Sequence, residues 1–335
     1  MQAAIYGLSG TELTDNERDF FRDADPAGYI LFKRNCLNPE QLRRLNDELF
    51  ALSGRPDLPI LIDQEGGRVA RMQPPEWPAF PKAEAFASLY NLAPSSAIEA
   101  TRVNARAIAL MLRGVGVNVN CLPVLDVLQP GASDIVGDRS LGSDPMQVAA
   151  LGRAVLDGMA SAGVVGVVKH MPGHGRALVD SHKELPVVDA SDAELATDLE
   201  PFERLRWAPM GMVAHVVYTA WDAELPSSMS PTVIGSVIRE RIGFDGLLMT
   251  DDLGMHALSG DMGSRASRSI AAGCDIALHC SGDMEEMQSV AAAVPSLSAD
   301  GEARLSRAMA IALNEDDDVD FAEAIAKRDE LLALV

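Results

Sequence analysis

Short apolar runs alternate with amphipathic segments along the whole chain. Eight runs have the length and composition of buried strands: Ala4–Leu8, Tyr29–Lys33, Pro59–Asp63, Val117–Val124, Val164–His170, Met210–Val217, Gly246–Asp251 and Asp275–Cys280. A short, almost continuous apolar run bounded by turn residues fits a strand covered on both faces. The segments between them begin with helix-start signals. Thr14-x-x-Glu17 and Ser191-x-x-Glu194 fit capping boxes, in which each side chain satisfies a free backbone N–H. Asn38-Pro39, Asp144-Pro145 and Ser230-Pro231 each set an N-cap before a proline at the first helical position. After Asn38, Leu42, Leu45 and Leu49 recur at helical spacing.

Strand and helix alternating eight times predict an α/β chain folded as one (β/α)8 TIM barrel, a single domain over residues 1–335. Residues 283–335 are expected to add two or three helices on the barrel exterior. A doubly wound open sheet is the structural rival. It is disfavoured because no G-x-G-x-x-G follows the first run and no Walker loop is present. No repeat, low-complexity tract or linker divides the chain.

In such a barrel the C-terminal strand ends converge on one site, and here those ends are polar. The third run ends at Asp63 and continues Gln64-Glu65-Gly66-Gly67-Arg68, with Arg71 beyond. The fourth leads to Asp126 and a loop carrying Arg139. The fifth delivers Lys169 and His170, then His174, Asp180 and His182; the sixth offers His215; the seventh ends in Asp251 and Asp252. Leaving even neutral polar groups unpaired in a core costs on the order of 2–7 kcal/mol, so their shared location points to a polar ligand. Carboxylates accept from hydroxyls while Lys and Arg donate, which suits a hydroxyl-rich small molecule. Asp251 is a fair nucleophile for a glycosidic carbon. His182 could donate the proton, and Asp180 could orient its ring. Strand parity does not separate Asp251 from Asp252, because both faces of that run are apolar.

Bulk properties narrow the field. Against 28 Lys and Arg stand 49 Asp and Glu, a net charge of −21, which argues against a nucleic-acid partner. No apolar stretch is long enough to span a membrane. The first residues lack the basic region of a secretory signal. Cys36, Cys121, Cys274 and Cys280 are scattered without a C-x-x-C, as expected of free thiols in a reducing cytoplasm. Glu315–Asp318 reads as a solvated turn. His170 and His174 have H-x-x-x-H spacing, but Pro172, Gly173 and Gly175 break any helix there. Neither a metal nor a cofactor is expected.

Four motifs in order carry a family resemblance: Asp63-x-Glu65-Gly66-Gly67-Arg68-Val69-x-Arg71, Lys169-His170-x-Pro172-Gly173-His174-Gly175, Asp180-Ser181-His182, and Thr250-Asp251-Asp252-Leu253-x-Met255. Together they resemble bacterial β-N-acetylhexosaminidases of glycoside hydrolase family three, most closely the single-domain cytosolic enzymes of peptidoglycan recycling. The resemblance implies a retaining hydrolase with Asp251 as nucleophile, His182 as general acid/base and Asp180 as its partner. It implies that Asp63, Arg71, Arg139, Lys169 and His170 hold the N-acetylglucosamine ring of an N-acetylglucosaminyl-1,6-anhydro-muropeptide. Arg176-Ala177 stands where many relatives carry an Asp or Thr, which bears on the dynamics of the His182 loop.

Other readings of the same residues stay open. A β-N-acetylglucosaminide phosphorylase would use them with phosphate as acceptor, since a histidine repels an incoming anion less than a carboxylate does. A metal-dependent amidohydrolase and a non-enzymatic sugar-binding protein fit less well, the latter because aromatics make up only 5% of the chain. Substrate-assisted hydrolysis has only Asp222-Ala223-Glu224 to offer as its carboxylate pair. His174 reads as structural and Glu65 as a partner for an arginine. His215 is balanced between ligand contact and barrel rim, Gly66-Gly67 serves a tight turn, and His256 and His279 belong to surface or core. No protein partner is indicated.

Overall fold

Branched apolar side chains suit an extended backbone covered on both faces, and Val165–Met171 is buried along its entire length. In the computed structural model, which describes residues 1–131, 133–179, 181, 184–313 and 320–334, each of the eight apolar runs contributes a parallel strand. These are β1 (Gln2–Gly7), β2 (Pro26–Leu31), β3 (Ile60–Ile62), β4 (Val119–Asn120), β5 (Val165–Met171), β6 (Met210–Val213), β7 (Leu247–Thr250) and β8 (Ala277–His279). They pair in chain order from β1 to β7, and β8 lies on the far side of β1. The seam between β7 and β8 is closed by a parallel bridge, Met249 to Ile276. Side chains complete it: the Leu248 N–H donates to Asp275 Oδ2 at 2.9 Å and the Leu278 N–H to Thr250 Oγ1 at 3.0 Å. The result is a (β/α)8 TIM barrel.

Two strands, β4 and β6, stop well short of their apolar runs. After β4 the chain meets Pro123, which has no N–H to donate; the carbonyls of Leu122 and Pro123 still accept from β5, and regular pairing returns as a single bridge at Val124, opposite Lys169. After β6 the chain leaves the barrel, and Val217–Tyr218 pairs instead with Val187–Val188 outside it. Both departures free backbone at the C-terminal rim for loops.

The helix starts follow local chemistry. Thr14 and Ser191 form the two capping boxes of α1 (Asp15–Ala24) and α6 (Asp192–Arg204). Asn38 and Asp144 cap α2 (Pro39–Ser53) and α5 (Pro145–Ala160). Ser230 Oγ accepts from the Val233 N–H at the head of a helix over Val233–Ile242 that is wound as a π-helix. Between α2 and α5 come α3 (Ala83–Leu92) and α4 (Pro94–Gly114). After α7 (Met262–Ala272), α8 (Met284–Ala293) packs beside β1, α9 (Ala299–Met309) beside β7, and α10 (Phe321–Leu332) along α4.

Helices α4 and α5 pack closely because Gly158 offers no side chain: a methyl group there would fall on the Arg102 carbonyl oxygen. Gly158→Ala should therefore destabilise the fold by about 1–3 kcal/mol, the usual cost of overpacking. Gly114, whose missing methyl would meet nothing within 4 Å, is the control: Gly114→Ala should gain roughly 0.5–1 kcal/mol from helix propensity. Paired denaturant unfolding curves separate the two outcomes.

Candidate active site

Asp63 follows β3 directly, and the chain then folds into a small antiparallel hairpin, Gln64–Gly66 with Val69–Ala70. Positive φ at Gly66 and Gly67, 94° and 56°, makes the turn. This hairpin returns Arg71 to Asp63, with Nη2 donating to Oδ2 at 2.8 Å. From β5, the buried Lys169 ammonium reaches Asp63 Oδ1 at 2.9 Å and Glu65 Oε1 at 2.7 Å. Arg139 grips Glu65 through both oxygens, each at 2.8 Å. Burial pushes the Asp63 carboxyl up, but Lys169 and Arg71 outweigh it and hold the group well below the usual carboxylate range. Glu65 is drawn down to about 2, with Lys169 and Arg139 overcoming its burial. Burial alone would lower Lys169, yet the two carboxylates raise it above its ordinary value. All three groups are ionised at neutral pH.

Asp126 organises the next sector. It is fully buried and takes three hydrogen bonds: the His170 N–H at 3.1 Å and the His174 N–H at 2.7 Å on Oδ1, and His170 Nδ1 at 2.7 Å on Oδ2. An ionised carboxylate only accepts, so Nδ1 carries the proton. In the neutral ring Nε2 then remains an acceptor for a ligand hydroxyl. Burial lowers the pKa of His174 and favours its neutral form; its Nε2 lies 3.3 Å from Ser181 Oγ. Arg68 fastens the loop after β4, bonding Asp138 and the carbonyls of Asp134 and Ile135 at 2.7–2.8 Å. That loop is tied to the one after β5 by the Ser133 N–H, which donates to the Ala177 carbonyl at 2.9 Å.

The two aspartates that end β7 differ in their bonding. The Asp251 N–H continues the ladder to the Val213 carbonyl, and its Oδ1 accepts from the Asp252 N–H at 2.8 Å. The Asp252 carboxylate instead caps a turn, accepting the N–H groups of Gly254 at 2.9 Å and Cys280 at 3.2 Å. Burial pushes Asp251 up, but His170, His215, the Asp252 N–H and Lys169 together hold it below the usual range. His215 is buried under this tip. Its Nε2 donates to the Asp252 carbonyl at 3.0 Å, and its Nδ1 accepts from Ser228 Oγ at 2.7 Å. Desolvation depresses its pKa and favours the neutral ring.

A cavity of about 260 Å³ at the C-terminal mouth of the barrel brings these groups together, just below the usual range for small-molecule sites. Asp63, Arg71, Arg139, Lys169, His170 and Asp251 all line it. Asp180 and His182 lie outside the described residues; Ser181, between them, lines the cavity. Glu65 is the arginine partner its position suggested, His215 sits beneath the rim, and His174 faces the cavity. Sequence reasoning passed over Phe32 and Cys280, each one residue beyond a barrel strand and each lining the cavity. The strand-end rule that found the charged groups applies to them equally, but their apolar character hid them. Phe32 lies under the guanidinium groups of Arg34 and Arg71, 4.9 and 5.1 Å from its ring centre, within cation–π range.

Residues 4–311 match the glycosyl hydrolase family 3 N terminal domain. A beta-hexosaminidase from Alkalilimnicola ehrlichii is 41% identical over 281 residues, covering 82% of this chain and 80% of its own. A second, from Thiobacillus denitrificans, is 39% identical over 278 residues, covering 82% and 76%. Among solved structures, NagZ from Neisseria gonorrhoeae in complex with N-trifluoroacetyl-D-glucosamine superposes with a TM-score of 0.87 at 31% identity, covering 99% of this chain and 98% of that one. A match that runs from β1 past the end of α9 takes in the whole barrel and the cavity at its mouth, so this chain belongs to glycosyl hydrolase family 3 and is a glycosidase.

Proposed function

We propose that the chain is a retaining β-N-acetylglucosaminidase that removes terminal non-reducing N-acetylglucosamine from anhydro-muropeptides, in the cytoplasm, as a step of peptidoglycan recycling. The observation that carries the reading is the Asp251 carboxylate, ionised and lining the same cavity as the Asp63–Lys169–His170 cluster. The beta-hexosaminidase relatives and the amino-sugar complex of NagZ support the choice of sugar. Among the described residues no helix is long and apolar enough to cross a membrane.

In this mechanism Asp63, Arg71, Lys169 and His170 bind the ring hydroxyls, and Arg139 acts through Glu65 and directly from the cavity wall. Asp251 attacks the anomeric carbon, and an ester bond forms as the glycosidic bond breaks. His182, oriented by Asp180, gives its proton to the departing oxygen. It then takes a proton from the water that attacks the ester, which restores both groups and releases the sugar. The difference in bonding between the two aspartates supports Asp251 over Asp252, since Oδ1 of the latter is held by two backbone donors from the turn and from the end of β8, whereas Asp251 takes only the N–H of its own neighbour.

Asp251→Ala should abolish release of nitrophenol from 4-nitrophenyl N-acetyl-β-D-glucosaminide, and a 2-fluoro sugar should leave a covalent adduct on Asp251 in the intact enzyme, read by peptide mass spectrometry. An enzyme inactive on every β-N-acetylglucosaminide tested would overturn the reading. Added phosphate should leave the rate unchanged; a phosphate-dependent rate with a sugar 1-phosphate product would instead make the enzyme a phosphorylase.

The charge cluster also sets an acid limit. Asp63 and Glu65 titrate lower in the folded protein than in the unfolded chain. Their stabilisation is complete above the ordinary carboxylate range, roughly pH 4, and is lost as the pH falls towards the folded value of Glu65, about 2. Denaturant titrations should show stability declining across that window. Lys169→Met removes the shared cation and leaves Asp63 to Arg71 and Glu65 to Arg139; it should cost up to about 3–5 kcal/mol at neutral pH, the upper figure being the usual penalty for removing one partner of a buried pair. In that variant the acid-side decline should flatten.

A further inference from the structure

The segment that leaves β5 is held on two sides before it reaches residues 180–182. On the inner side, Asp126 takes the N–H groups of His170 and His174. On the outer side lies α6. Arg176 Nε donates to Asp198 Oδ2 at 2.6 Å, and its Nη2 to the Glu194 carbonyl at 2.9 Å. The Tyr218 hydroxyl donates to the Gly173 carbonyl. Gly173 lies so close to α6 that a methyl group on it would sit 3.0 Å from Asp198 Cβ. Beyond Arg176 the Ala177 carbonyl takes the Ser133 N–H, and further on the Ser181 carbonyl takes the Ala257 N–H at 3.3 Å. The stretch that carries the proposed acid/base dyad therefore leaves from a point fixed against α6.

We propose that the Arg176–Asp198 pair, backed by the Tyr218–Gly173 hydrogen bond, is a clasp that positions the acid/base segment for proton transfer. Arg176 and Asp198 are positioning residues, since neither lines the cavity. This rests on the reading of His182 as general acid/base.

The placement of Asp198 argues for a geometric role. Its side chain is only 2% exposed, and its Oδ1 has no hydrogen-bond partner among the described residues. Burial raises the carboxyl to about 6 in spite of Arg176, with Asp126 pushing in the same direction; the Tyr218 phenol is the other titratable group facing it. A buried ion pair of this kind contributes little net stability compared with apolar packing. What it supplies is direction, because a guanidinium holding a carboxylate and a carbonyl at once allows few loop conformations.

The test separates loss of acid catalysis from general damage. Proton donation matters for a poor leaving group such as phenol and hardly at all for 2,4-dinitrophenol, so kcat/KM is compared on the two aryl N-acetyl-β-D-glucosaminides. Arg176→Ala and the near-isosteric Asp198→Asn should lower kcat/KM on the phenyl substrate roughly 10–100-fold while changing the dinitrophenyl value less than about twofold, as misplacement of a proton donor predicts. Arg176→Lys should recover part of the loss. Thermal melts check that each variant is folded, and His182→Ala is the reference, expected to show the same split more strongly. If His182→Ala shows the split and the Arg176 and Asp198 variants do not, or lose activity equally on both substrates, the clasp is overturned and the acid/base assignment stands. If His182→Ala shows no split, the assignment falls and the clasp with it.

Discussion

One lysine between two carboxylates sets the terms for the site. Lys169 projects from β5 and meets Asp63 at the tip of β3 and Glu65 in the hairpin beyond it. A single ammonium does not neutralise two buried anions, and removing any of these charges from water costs several kcal/mol before the attraction is counted. Arg71 and Arg139 complete the set from either side. Three cations against two carboxylates leave one positive charge facing the mouth of the barrel. Lys169 from this group and His170 beside it lower the pKa of Asp251. The electrostatics that hold this wall of the cavity together thus also keep Asp251 ionised, as the proposed role of nucleophile requires.

The barrel was legible in the sequence because its strands are buried on both faces. An apolar run such as Val164–Val168 has few alternatives to a central parallel strand, and the capping residues at Thr14, Asn38, Asp144 and Ser191 mark the helix starts by chemistry of their own. Strand ends were less legible. Val117–Val124 reads as one run, yet Pro123 interrupts the ladder and leaves only Val119–Asn120 regularly paired. Met210–Val217 reads as one run, yet its last residues serve a small sheet outside the barrel. Hydropathy registers burial, and both truncated stretches remain buried after they leave the ladder.

The charged residues of the site could be found because buried polar groups at strand ends need a reason. Their partners could not. Nothing local to Asp126 announces that it gathers two backbone amides and an imidazole from a segment more than forty residues later in the chain. Phe32 and Cys280 share the strand-end position without the polarity that drew attention to the others. Asp251 and Asp252 are equivalent by parity, and only their hydrogen bonds separate them.

That separation has a consequence for the two neighbouring aspartates. Asp252 ties the tip of β7 to the start of the loop after β8 through the Cys280 amide, so its carboxylate is a structural fastener spanning the seam at which the barrel closes. The pair is a division of labour and not a redundancy: one carboxylate is committed to fastening backbone across the seam, while its neighbour, free of that duty, keeps an oxygen available to the cavity.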